Sequence, residues 1–319
     1  MLRRTRGFTL LEAVVTIAIL GIVAGMVAVF IRAPILGYRD TVERAELTDQ
    51  ADLALRRMAR DIRLSLPNSV RVNADGSGLE LLLTRSGARY LSADDGVAPS
   101  LALSFDDASR NSFTALAPPA TFSQVRPGDY AVVYNLGEGF APANAYDYAN
   151  TGGPADCSAT ASGAAVNAAG NIACITAVTD PATDRESFDS QNTSVPVSRI
   201  TIAGNPFARQ DTPMTSPEQR FQVVSGPVSF YCEAQADGTL TLWRAWGYGN
   251  AVAQQVPPAG GQRAMVASRL TRCDGLFAYQ SSAALQRTGL VLIALELRSR
   301  TAGAGAVRLV HQVHVDNTP

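Results

Sequence analysis

The sequence predicts an α+β protein: a long N-terminal helix, membrane-spanning in its first part, packed on an antiparallel β-sheet head. Three observations predict it. An apolar run from Phe8 to Ile31 follows a short basic segment. Beyond the run, apolar residues recur at steps of three and four as far as Leu66. From Val70 onward the recurrence shortens to two, with Asp-Gly pairs between the runs. Periods near 3.6 and 2 mark the buried face of a helix and of a sheet respectively.

At 319 residues the chain is long enough for one large domain or two small ones beyond an anchor. A hydrophobic share of 46 % with 17 % charged residues fits a folded protein, and a formal net charge of -1 gives no basic footprint for nucleic acid. All 27 basic residues are arginine. Without lysine, Schiff-base and phosphate-loop lysine mechanisms are excluded.

As a helix, residues 8–31 rise about 36 Å, enough to cross a hydrocarbon core of about 30 Å. A secretory signal peptide has a shorter apolar region, of about 7 to 15 residues, ahead of a small-residue cleavage site. Glu12 sits inside the run, where a carboxylate costs on the order of 2.5 to 3.5 kcal/mol on insertion scales and needs a partner. A cut between Gly7 and Phe8 would supply one. The new α-amino group of Phe8 is a cation four residues before Glu12, and joined between neighbouring subunits the two charges neutralise each other.

The segment Arg6-Gly7-Phe8-Thr9-Leu10-Leu11-Glu12 resembles the cleavage and methylation signature of type IV prepilins and type II secretion pseudopilins. The resemblance implies cleavage after Gly7 by a prepilin peptidase, N-methylation of Phe8, and docking of Glu12 on the preceding subunit. The chain would then be a substrate and not an enzyme, carried by a bacterial inner membrane with its head in the periplasm before it enters a filament. Arg3, Arg4 and Arg6 favour a cytoplasmic leader, while Arg32 and Arg39 on the far side oppose that bias, so the orientation rests on the motif.

The expected organisation is a leader over 1–7, a transmembrane and assembly helix over 8–31, its amphipathic continuation over 32–66, and a β-rich head over 67–319. In the continuation, Ile35, Tyr38, Val42 and Ala45, then Leu47, Ala51, Leu55, Met58, Ile62 and Leu66 form the stripe. Pro34 is expected to kink the helix and Gly21 and Gly25 to weaken it, giving a two-part rod that ends at Pro67-Asn68.

In the head, Asp75-Gly76 between Val70–Asn73 and Leu79–Thr84, and Asp237-Gly238 between Val228–Glu233 and Thr239–Arg244, are hairpin signals. Val291, Ile293, Leu295 and Leu297, and Val307, Leu309, Val313 and Val315, alternate as a final pair of strands. Residues 141–180 turn to Ala, Asn, Gly and Ser and read as a surface excursion. Four cysteines without Cys-x-x-Cys spacing favour two disulfides over zinc. Count alone leaves the connectivity open; proximity pairs Cys157 with Cys174 and Cys232 with Cys273.

Catalytic equipment is sparse. His311 and His314 point to opposite faces of a strand, with His311 read as a core histidine beside Leu309 and Val313. Asp94-Asp95 and Asp106-Asp107 lack the spacing of a calcium loop and read as turns. Trp243, Trp246 and Tyr248 read as strand packing before a contact patch. No cofactor or metal is expected.

The stretch Leu55–Arg63 followed by Leu66-Pro-Asn-Ser-Val70, the run Phe230-Tyr-Cys232, and the ending from His311 to Pro319 resemble the O-type minor pilins of mannose-sensitive haemagglutinin (MSHA) pili. The arginine-rich helix end also resembles J-type minor pseudopilins of type II secretion, relatives of that group. The implied function is that of a minor pilin that initiates, caps or decorates a filament. Its partners would be the prepilin peptidase, major and other minor pilins, the inner-membrane assembly platform, and membrane lipid before assembly. A J-type pseudopilin is the alternative, and an anchored periplasmic enzyme a disfavoured third.

Overall fold

A computed structural model describes residues 7–147, 168–179, 184–187, 194–281, 288–299 and 305–319. It shows one long helix, α1, over Leu10–Arg63, and a large antiparallel sheet, an α+β layout. The helix start differs from expectation: Gly7 and Phe8 are not helical, and Thr9, with ψ 150°, is the N-cap. The helix continues through Pro34, where one backbone hydrogen bond is lost, because helix on both sides propagates cooperatively.

The end also comes early. The Leu64 N–H bonds back to the carbonyls of Arg60 and Asp61, and the chain then leaves to join a strand: Leu66 N–H donates to Leu82, and Leu64 accepts from Thr84. Only the second part of the apolar stripe is buried. Leu47, Ala51, Ala54, Leu55, Met58, Ala59 and Ile62 form the core, whereas Ile35, Tyr38 and Val42 are exposed because the head begins to cover the helix only at Leu47.

The strands are β1 (Arg71–Val72), β2 (Gly78–Tyr90), β3 (Ser112–Leu116), β4 (Tyr130–Val132), β5 (Ile172–Val178), β6 (Arg185–Ser187), β7 (Ser194–Pro196), β8 (Ser198–Ile202), β9 (Arg220–Ala234), β10 (Leu240–Trp246), β11 (Gln262–Leu270), β12 (Phe277–Ser281), β13 (Thr288–Arg298) and β14 (Ala306–Asp316). Asp75-Gly76 makes the β1–β2 turn and Asp237-Gly238 the β9–β10 turn; both glycines have positive φ, where a side chain is disfavoured.

Two long strands, β2 and β9, belong to two structures at once. Their halves around Gly78–Leu82 and Pro227–Tyr231 continue through β10, β11 and β13 into the sheet that α1 packs on. Their other halves close a ring. β2 pairs β3, β3 pairs β8, β8 pairs β5, β5 pairs β4, β4 pairs β9, and β9 returns to β2. Register shifts on either side of Thr84 mark the junction, as expected where a strand bends from one curvature to another.

Each half has its own core. Between α1 and the sheet lie Met58, Ile62, Leu79, Leu81, Phe230, Leu242, Val291, Ile293, Leu295 and Val313. Inside the ring lie Tyr90, Phe113, Phe122, Ile175, Ile200, Phe207 and Phe221, with Phe113 and Phe221 meeting edge to face at 5.2 Å. Part of the stretch read as a surface excursion is therefore interior: Ala143–Tyr146 and Ile172–Ile175 are buried, and β5 is a ring strand. Ala145, Tyr146, Ile172 and Cys174 pack with Leu66, Leu82, Tyr130 and Val132 in a third cluster, while Ala173 and Ile175 face the ring core. Residues 148–167 lie outside the described set.

Candidate functional site

Thr9 caps α1 by accepting a hydrogen bond at its hydroxyl from the Glu12 N–H at 3.3 Å. That places Glu12 in the first turn, on the electropositive end of the helix, with its carboxylate bonded to no described residue. Gly7 and Phe8 precede the cap, outside the helix and exposed. Around and beyond Glu12, Phe8, Leu10, Leu11, Ile17, Leu20, Met26, Phe30 and Ile31 are all exposed, with Leu10 84 % and Phe8 75 % accessible. Among the described residues no other segment presents such an apolar surface, and the helix is long and apolar enough to cross a membrane.

Residues 2–28 match the prokaryotic N-terminal methylation motif. This type IV prepilin-like motif indicates a pilin- or pseudopilin-like substrate, implying processing by a prepilin peptidase and assembly with other pilins. It is a mark of a structural protein, and with the apolar helix it indicates membrane anchoring. No curated protein and no solved structure matches the chain.

The later part of α1 is held to the head by ion pairs as well as by the core. Asp61 of α1 meets Arg244 of β10 at 2.6 Å, and Glu43 of α1 meets Arg269 near the end of β11 at 3.7 Å, each partly buried. At the base of the head, Glu80 on β2 is 1 % exposed. Its carboxylate accepts from Arg71 Nε at 2.9 Å, Tyr248 O–H at 3.0 Å and Gln255 N–H at 3.2 Å. Arg71 also donates to the carbonyls of Ala251 and Val252 and lies 3.6 Å over the Tyr146 ring. Burial pushes the Glu80 carboxyl above its usual range, against the pull of Arg71, and likewise pushes up the hydroxyls of Tyr146 and Tyr248. The network ties the β1–β2 hairpin, the segment after β10, and the loop before β5 into one unit.

Cys232 and Cys273 form a disulfide that joins β9 to the turn before β12. Cys174, on β5, is also disulfide-bonded, and Cys157 lies outside the described residues, as do Arg3, Arg4 and Arg6. His311 departs from the core reading: it is half-buried and lines a groove between β14 and α1, because β14 is an edge strand that the helix covers only in part. His314 is exposed on the other face. The aspartates serve turns: Asp95 accepts from Ser92 N–H and binds Arg89, and Asp107 accepts from Ser109. Trp243 stacks under Arg263 at 4.4 Å and Trp246 under Arg244 at 5.0 Å, while Tyr248 is buried in the Glu80 network. Among the described residues no cluster could hold a metal ion.

Two features of the helix were missed from sequence. Thr9-x-x-Glu12 is the spacing of an N-terminal cap and could have set the helix start. Gly21 and Gly25, one turn apart with nothing near their Cβ positions, leave a bare strip where another helix could approach closely.

Proposed function

We propose that this chain is a minor pilin of an MSHA-like type IV pilus. In this reading it is cut after Gly7, methylated on Phe8, held in the inner membrane with its head in the periplasm, and drawn into the filament by residues 8–31. The observation that carries the reading is the juxtaposition at the helix start: an unpaired Glu12 carboxylate in a fully exposed apolar surface, beside the bond whose cleavage would create a cation. A partner subunit's amine satisfies that carboxylate, and the strip at Gly21 and Gly25 lets helices pack closely in the bundle.

The size of the head favours a priming, capping or decorating role over a repeating one. The helix-packed sheet carries a second, ring-shaped layer on β2 and β9, bulk that a tip position accommodates without crowding. The J-type pseudopilin reading shares every one of these features and differs in the neighbours it requires. Glu12→Ala is expected to leave processing and the head's thermal unfolding unchanged while cutting incorporation into fibres at least tenfold, about 1.4 kcal/mol of docking energy. Normal incorporation refutes the docking role. Crosslinking in cells to major pilins supports the pilus, and crosslinking to secretion pseudopilins replaces it with the secretion system.

A further inference from the structure

We propose that the open edge of β14, with the groove beside the last turns of α1, receives an extended acidic segment of a partner polypeptide as an added β-strand. The inference concerns the head and is independent of how the N-terminus is processed.

The edge itself is the first observation. β14 pairs with β13 at all eleven positions from Ala306 to Asp316 without a register shift, and among the described residues no strand pairs its other side. Such a strand extends roughly 35 Å, and about half its residues direct N–H and C=O groups away from β13. Edges of this length are ordinarily blunted by proline, a bulge or charged side chains; β14 has no proline or bulge, and its charges, Arg308 and Asp316, lie toward its two ends. Its exposed groups are the template that strand addition uses.

The groove is the second. α1 lies across the sheet with Asp61 on one flank, turned to Arg244 of β10. On the other flank Asp52, Arg56, Arg60 and Arg63 line a groove of about 630 Å³ closed on the strand side by His311. Buried Leu55 and Ala59 contribute to its lining. A strand added to β14 would run along this flank.

Charge selects the occupant. Three arginines face one aspartate, and Asp52 already binds Arg56 at 2.7 Å, so Arg60 and Arg63 have no carboxylate among the described residues. Arginine in the last turn of a helix answers the helix dipole, worth about 0.3 to 1 kcal/mol, which accounts for the sign of the rim but not for the open edge beneath it. Anionic lipid is out of reach: Asp52 is 21 residues beyond Ile31, roughly 30 Å of helix, against a screening length of about 8 Å. Nucleic acid would use the arginines and leave the backbone edge idle. An acidic segment in extended conformation uses both.

The test employs the full chain in detergent micelles and a fluorescent ten-residue peptide of alternating Glu and Thr. Two comparison peptides are used, one with Arg in place of Glu and one N-methylated at alternate amides. The Glu peptide is expected to bind and to slow amide exchange across 306–316, and both the N-methylated peptide and the Arg60→Glu, Arg63→Glu double variant should weaken binding at least tenfold. Unfolding of the variant is checked by its melting temperature, and the N-methylated peptide tests the edge with no change to the protein. Equal binding of the N-methylated peptide overturns strand addition. Equal binding of the Arg peptide overturns the charge selection. Absence of binding at about 1 mM overturns the site, as does preferential capture of a single-stranded oligonucleotide.

Discussion

Replacing Arg71 by methionine is expected to cost about 3 to 5 kcal/mol of stability at neutral pH, the usual loss when one partner of a buried ion pair is removed. The magnitude follows from the surroundings. Glu80 is 1 % exposed and Arg71 is the cation at its carboxylate, 2.8 Å away, while the guanidinium also binds the carbonyls of Ala251 and Val252. Against a total stability of 5 to 15 kcal/mol for an ordinary domain, the melting temperature should fall by roughly 10 °C. The loss should depend on pH in one direction. Burial already raises the Glu80 carboxyl above 4.5, and removing Arg71, which pulls it down, raises it further. A carboxyl raised in the folded state contributes stability that is complete below the unfolded value and is lost as pH rises through the folded one. The deficit of Arg71→Met relative to the parent should therefore grow from about pH 4 to about pH 7, and Glu80→Gln in the same chain should remove the growth and restore more than half of the neutral-pH loss. Near-UV circular dichroism during thermal unfolding in detergent gives the numbers. A deficit under about 1 kcal/mol at neutral pH, or one flat with pH, would refute the reasoning.

Two further outcomes test the packing. Met58→Ala empties a fully buried position between α1 and the sheet and should cost about 2 to 5 kcal/mol by denaturant unfolding, while leaving processing at Gly7 untouched some fifty residues away. Cys232→Ser with Cys273→Ser opens a bridge across a separation of 41 residues and should cost about 4 kcal/mol on loop entropy, measured as the difference between oxidised parent and variant.

What the sequence made legible was local. The apolar run, the Glu12 within it, the Asp-Gly turns and the alternating final strands are each written in fewer than thirty consecutive residues, and the α+β layout follows from them. What it did not make legible was non-local. Ring closure depends on β4 and β5 meeting β9 and β8 across long stretches of chain, and nothing in the alanine-rich composition around Ile172 announces a ring strand. Glu80 reads as an outward position in an alternating strand; only the fold brings Arg71, Tyr248 and Gln255 around it. His311 shares a face with core residues, yet it sits where the helix no longer covers the edge strand.

The central claim is that the N-terminal segment is a processed assembly device, and intact-mass and N-terminal peptide spectrometry on protein from cells that contain a prepilin peptidase tests it most directly. The chain should begin at Phe8 with one added methyl group on its α-amine. A chain that still begins at Met1 in those cells would contradict it.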